Sequence, residues 1–174
     1  MIFIGLGANM ESAWGAPAAT FAHLKGILQQ RGILWKDLSP LFRTEPVGPR
    51  QPAYLNAVAA ISCSYPPQAL LAMLKRIEIE AGRRAGQRNG PRPLDLDILD
   101  YHVRIVNWAG VRYTHCPVRY LVLPHPRLHL RRFVLEPLLA IAPGWRHPVF
   151  GIGAARLAAR LPRKGQGAIL ERLT

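Results

Sequence analysis

The sequence predicts an α+β fold, and three observations predict it. Apolar, β-prone runs and helical-period segments follow one another in the order βαββαβ, with strands placed to pair antiparallel. The chain has 174 residues, 49% of them apolar, which suits one domain able to bury a core without staples. No apolar run reaches the length of a membrane span, because Arg, Lys, Gly and Pro interrupt every candidate.

Each element has its own justification. Met1 to Leu6 is an apolar run closed by Gly5, Gly7 and Asn9, so a buried strand and a turn are expected. With no basic segment before it, this start reads as the first strand of a cytoplasmic protein rather than a secretory signal. From about Ala13 to Gln30, Trp14, Ala18, Phe21, Leu24, Ile27 and Leu28 recur at helical spacing, and Gly32 ends the helix. Ile33 to Arg43 reads as a strand that Pro40 bulges or confines to an edge. Thr44 to Pro52 holds three prolines and a glycine and forms a stiff loop. Tyr54 to Ser64 resumes strand character.

Pro66 and Pro67 open a second helix with an apolar face of Leu70, Leu71, Leu74 and Ile77, capped by Gly82. Residues 83 to 93 form a loop with four arginines and no acid. Leu94 to Tyr101 is a strand, with Leu94, Leu96 and Ile98 on one face and Asp95, Asp97 and Leu99 on the other. Residues 103 to 123 read as short strands or irregular structure. Phe133 to Ile141 reads as a helix ended by Pro143 and Gly144. Residues 151 to 174 read as a basic tail of the single domain, with a helix from Ala154 to Leu161 and a loose end.

Charge narrows the choice of partner. There are 23 basic and 10 acidic residues, a formal net charge of +13, and 19 of the 23 are Arg. Arg recognises phosphate in a bidentate way that Lys does not. The same excess also fits a GC-rich composition combined with solubility. Two cysteines, Cys63 and Cys116, exclude a disulfide framework and a four-thiolate zinc site, and suit a reducing compartment.

The sharpest local signal is Asp95-x-Asp97. Residues two apart on a strand share a face, so two carboxylates can converge on one or two hard cations such as Mg²⁺. A bare D-x-D is more often a solvent-facing polar stripe on an edge strand, and context raises the metal reading. Here it lies on an otherwise apolar strand after a loop carrying Arg83, Arg84, Arg88 and Arg92, as a magnesium–triphosphate site requires. A second cluster, Pro124 to Phe133, offers His125, Arg127, His129, Arg131 and Arg132 as another anion-binding wall or a solvated turn. No G-x-x-x-x-G-K-[ST] occurs, so polyphosphate must be held by arginines and metal. Tyr54 and Asn56, on one face of a strand, could seat a flat heterocycle or be ordinary strand residues.

Taken in order, these segments resemble the 6-hydroxymethyl-7,8-dihydropterin pyrophosphokinase family over nearly the whole chain to about residue 145. The resemblance rests on Ile4-Gly5-Leu6-Gly7-Ala8-Asn9, Thr44-x-Pro46-Val47-Gly48 and Gln51-Pro52-x-Tyr54-Leu55-Asn56. It continues with Glu78-x-x-x-Gly82-Arg83 and with Arg88-Asn89-Gly90-Pro91-Arg92-x-Leu94-Asp95-Leu96-Asp97-Ile98. Pro124-His125-Pro126-Arg127, Arg131-x-Phe133-Val134-Leu135 and Pro137-Leu138 complete it.

The resemblance implies a ferredoxin-like core in an α/β/α sandwich. It also implies pyrophosphoryl transfer from MgATP to 6-hydroxymethyl-7,8-dihydropterin in folate biosynthesis, with release of AMP. Asp95 and Asp97 would hold two Mg²⁺ ions, and Arg83 and Arg92 would grip the transferring phosphates. Leu71, Lys75, Glu78, Arg88, Arg92, Ile98, His125 and Arg131 would line the ATP site. Tyr54 and Phe133 would sandwich the pterin, with Asn56, Thr44, Pro46 and Val47 on its edge. Asn89 stands where many relatives carry Trp, and Pro93 where Thr is frequent. The family implies a monomer with small-molecule substrates and no membrane partner. A basic RNA-binding module and a Mg²⁺-dependent phosphohydrolase are the other classes. The arginines are not interleaved with stacking aromatics, which argues against nucleic acid.

Overall fold

Strand pairing, more than local propensity, orders this chain. The computed structural model describes residues 1–84, 89–108 and 121–173. Its strands are β1 (Ile2–Ala8), β2 (Leu34–Leu38), β3 (Leu41–Thr44), β4 (Tyr54–Ser62), β5 (Asp95–Tyr101) and β6 (Ile169–Leu173). Its α-helices are α1 (Pro17–Gln30), α2 (Pro67–Glu80), α3 (Arg132–Ile141) and α4 (Ala154–Ala159). The sheet runs β5-β1-β4-β3-β6, with β2 also on β4, and every pairing is antiparallel. With β2 and β3 taken as one broken strand, the order is that of two split βαβ units, the ferredoxin-like core.

The break between β2 and β3 has a local cause. Pro40 has no N–H to give a ladder. Ser39 compensates: its N–H donates to Val58 O at 2.9 Å, and its hydroxyl accepts from Val58 N–H at 3.0 Å.

Alternation sorts β1 and β5 into two cores. Ile2, Ile4, Leu6, Leu96 and Ile98 pack under α1 and α2 with Phe21, Leu24, Leu70, Leu74 and Ile77. Phe3, Val58, Ala60 and Leu99 pack on the opposite face under α3 and α4 with Leu135, Leu138, Trp145 and Leu157. The expected two faces of the 94–99 segment are therefore observed. Among the described residues no helix is long and apolar enough to cross a membrane.

The loose end expected after residue 161 is not what forms. Residues 169–173 pair with β3 from Leu41↔Leu173 to Thr44↔Ile169. Three of the five β6 residues are exposed, so the sequence carries no buried alternation to announce the strand. Its order comes from the partner edge. Cys116 lies outside the described residues.

Candidate active site

Helices α3 and α4 cover only part of their face of the sheet, and the remainder is lined by small or polar residues. In β1, Phe3, Gly5 and Gly7 share that face by alternation. Phe3 enters the core, Leu99 packs against Gly5, and Gly7 lets the side chains of its two neighbouring strands close in over β1. Gly7 pairs with Asp95 on one side and Asn56 on the other, and Gly5 pairs with Asp97. A Cβ on Gly7 would stand 3.1 Å from Asn56 Oδ1 and 3.8 Å from both Asp95 Cβ and Tyr54 Cδ1. One glycine thus marks the seam between a carboxylate pair and a Tyr–Asn pair.

The carboxylates sit in a ring of cations. Asp95 Oδ1 accepts from Arg83 Nη1 at 2.8 Å and Arg92 Nη1 at 2.6 Å. Asp97 Oδ1 lies 3.4 Å from Lys75 Nζ, and its Oδ2 lies 3.8 Å from His125 Nε2. Their side chains remain 23% and 32% exposed, open to a ligand. Burial works against the Asp97 charge, but Lys75, with His125 and Arg131, outweighs it and holds the carboxyl well below the usual carboxylate range. Burial likewise opposes the Lys75 ammonium, and Asp97, Glu78 and Asp95 keep its pKa above the ordinary value.

Lys75 and Glu78 come from α2 and reach the outer side of β5. Glu78 Oε1 accepts from Leu96 N–H at 2.7 Å, and Lys75 Nζ donates to Leu96 O at 2.7 Å. The two side chains also pair with each other at 2.7 Å, and Arg83 binds the second Glu78 oxygen. Gly82 makes the Arg83 contact possible. Its φ of +97° ends the helix, and Arg83 N–H donates back to Glu78 O at 2.9 Å. Glu78 is only 2% exposed. Its place is behind the cleft wall, where it orients Lys75 and Arg83.

Asn9 ties the two loops flanking the cleft. It exchanges hydrogen bonds with Arg92, donating N–H to Arg92 O at 3.0 Å and accepting Arg92 N–H on Oδ1 at 2.8 Å. Its amide donates to Gln51 Oε1 at 3.0 Å and Pro52 O at 3.1 Å. Gln51 donates to Asn89 O at 2.7 Å, and Tyr54 OH donates to Gly90 O at 2.9 Å. Burial, more than the charges nearby, pushes the Tyr54 phenol up.

Thr44 and Asn56 are buried and joined, the Asn56 amide donating to Thr44 Oγ1 at 2.8 Å. Pro46 is half-buried and Val47 exposed on the loop after β3. Phe133 opens α3 half-buried, with Arg131 5.5 Å from its ring centre. Leu71 is half-buried on α2, and Ile98 is buried in β5. Arg88 lies outside the described residues. The sequence reading missed the close packing of neighbouring side chains over Gly5 and Gly7 and the hold of Lys75 and Glu78 on Leu96; the big-small-small alternation of β1 was the available signal for the first.

His125 accepts Arg127 N–H on Nδ1 at 3.2 Å, so its neutral ring carries hydrogen on Nε2, towards Asp97. Burial holds its pKa down to about 4, Asp97 only partly resisting. His147 is wholly buried, stacked 4.3 Å from Phe150, and burial also holds it to about 4. Between pH 6.5 and 4 the unfolded chain binds more protons at both sites, so stability falls as pH drops through that window. Each depressed imidazole contributes on the order of 2–3 kcal/mol to this loss. Urea unfolding at pH 7.5 and 4.5 checks it: His147→Gln should shrink the difference between the two pH values, and an unchanged difference would contradict the assignment.

The donor set fits a hard divalent cation. The Asp95 and Asp97 side chains stay partly exposed beside three cationic side chains, Lys75, Arg83 and Arg92, and among the described residues no group of three or more metal-ligating side chains converges. Mg²⁺ suits such a site, since it is bound by one or two carboxylates with the rest supplied by water and substrate phosphate.

Residues 3–143 match the family model described as 7,8-dihydro-6-hydroxymethylpterin-pyrophosphokinase. The chain is 38% identical over 141 residues to a 2-amino-4-hydroxy-6-hydroxymethyldihydropteridine pyrophosphokinase of Haemophilus influenzae, covering 80% of each. It is 36% identical over 152 residues to the protein of the same name from Synechocystis sp., covering 85% of this chain and 69% of that one. With the folic acid synthesis protein fol1 of Pneumocystis carinii it shares 34% over 156 residues, but spans only 19% of that longer protein. Among solved structures, wild-type Plasmodium falciparum HPPK-DHPS is similar with a TM-score of 0.64 at 12% identity, covering 91% of this chain and 43% of that one. That last likeness concerns the fold.

Proposed function

This chain belongs to the 7,8-dihydro-6-hydroxymethylpterin-pyrophosphokinase family, and on that premise we propose how its cleft transfers pyrophosphate from ATP. The substrate hydroxymethyl oxygen attacks the β-phosphorus of ATP. The bond from that phosphorus to the oxygen bridging to the α-phosphate breaks, and AMP leaves. The hydroxyl proton is released as the new P–O bond forms.

Asp95 and Asp97 would hold Mg²⁺, two ions in our reading, which when bound neutralise charge on the phosphate oxygens. The chain's own residues do the rest. Asp97 is held ionised, and Arg83 and Arg92, now on Asp95, are within reach of a triphosphate laid along the cleft. His125 presents a neutral Nε2–H donor, with Arg131 on the same side. Such groups stabilise charge that is already placed, which is most of what phosphoryl transfer requires. Tyr54, Asn56 and Phe133 would seat the pterin across Gly7, so that its hydroxymethyl arm points at the carboxylates. Asn9 holds the two flanking loops together and helps exclude water.

The observation that carries this reading is the seam at Gly7, with a carboxylate–arginine cluster on one side and a Tyr–Asn pair on the other. Purified protein with MgATP should form AMP only when 6-hydroxymethyl-7,8-dihydropterin is present, with nucleotides resolved by chromatography. ADP, or pterin-independent turnover, would refute it.

A further inference from the structure

The family match ends at residue 143, yet the chain beyond it returns to the pterin side of the cleft. Past Thr44↔Ile169 the β3–β6 pairing continues through the loop. Glu45 N–H donates to Ala168 O at 2.9 Å, and Gly167 N–H donates to Glu45 O at 3.2 Å. The residue between Thr44 and Pro46 is thus tied at both of its backbone groups. Gly167, at φ +74°, lies against Phe133 and Val47. A Cβ there would stand 3.0 Å from Phe133 Cδ1, 3.2 Å from its Cε1 and 3.3 Å from Val47 Cγ2.

We infer that the Gly165–Leu173 segment is the back wall of the pterin seat, and that Gly167 is a positioning residue acting through Phe133 and Val47. The inference rests on the pterin reading of those two residues. Only a glycine lets the backbone lie flush against the ring and the valine while adopting a left-handed φ. A ring and loop fixed before the ligand arrives lose less freedom on binding, and small misplacements of a positioning group are expensive in rate.

Gly165 supplies the control. It too is left-handed, at φ +91°, but nothing lies within 4 Å of where its Cβ would be. Gly165→Ala and Gly167→Ala therefore share the backbone strain and differ in the contact. Both should lower Tm, Gly167→Ala by the larger amount because its Cβ also displaces Phe133 or Val47. Only Gly167→Ala should raise the pterin KM, about fivefold or more, with the ATP KM within twofold and Phe133→Ala as the positive comparison. Equal pterin KM values in the two glycine variants, or parallel rises in both KM values of Gly167→Ala, would overturn the inference.

Hydrogen exchange on the unaltered protein gives a readout that needs no variant. Pterin with a non-hydrolysable ATP analogue should slow exchange at the Gly167 amide beyond the effect of the analogue alone, and no added protection would count against the wall. Absence of pterin-dependent AMP from the wild type is a different result; it removes the functional reading itself.

Discussion

Asp97→Ala should cut turnover by about a thousandfold or more while the protein remains folded. A thousandfold is about 4 kcal/mol of transition-state stabilisation, the scale on which charge-placing groups act in displacement at phosphorus. Three consequences converge in this one change. The site loses an ionised carboxylate, held so by Lys75 foremost. Lys75 loses a partner 3.4 Å away. His125 loses the larger of the two carboxylate influences favouring its charged form, and is pushed further towards neutrality. The fold survives, because the contribution of Asp97 to the sheet is backbone pairing with Gly5. Urea unfolding should remain cooperative but shift by about 1–3 kcal/mol, since the native state favours the ionised carboxylate and Lys75 loses a partner. Single-turnover AMP formation is the decisive measurement, and activity above a tenth of wild type would remove Asp97 from the proposed mechanism.

Glu78→Ala should act differently, costing about 3–5 kcal/mol of stability as well as activity. The carboxylate is buried and serves three partners: Leu96 N–H, Lys75 and Arg83. Removing it leaves a half-buried ammonium and guanidinium short of a counter-charge and a buried amide without its acceptor. Burial, which raises the Glu78 pKa despite Lys75 and Arg83, shows that its charge is held at some expense. Glu78→Gln keeps an acceptor for Leu96 and should lose about half as much. Equal losses for the two variants would mean that charge, not the hydrogen bond to Leu96, dominates.

What the sequence made legible is what alternation and punctuation encode. The buried faces of 2–8 and 94–101, the proline start of α2, its glycine end and the Asp95–Asp97 pair follow from period and residue type. The split at Pro40 was half legible, as a bulge or edge, since Ser39 replaces the missing donor only in the presence of Val58. Strand β6 was not legible, because its order comes from β3 and from the turn at Gly165–Gly167. The role of Glu78 was hidden for the same reason. A glutamate on a helix is ordinary until the backbone of Leu96 arrives beside it.

The position of β5 at the margin of the sheet, among the described residues, has a further consequence. Among the described residues it has one strand neighbour, β1, and Lys75 and Glu78 occupy the outward N–H and C=O of Leu96. A strand margin with free backbone groups is a template for another copy of the chain, and proteins commonly blunt it with charge. Here the charges that blunt it are also those that orient the cleft. Damage to the Lys75–Glu78 pair should therefore appear as self-association at high protein concentration, before global unfolding, in light scattering. On that expectation, solubility and the proposed catalysis would draw on the same two side chains.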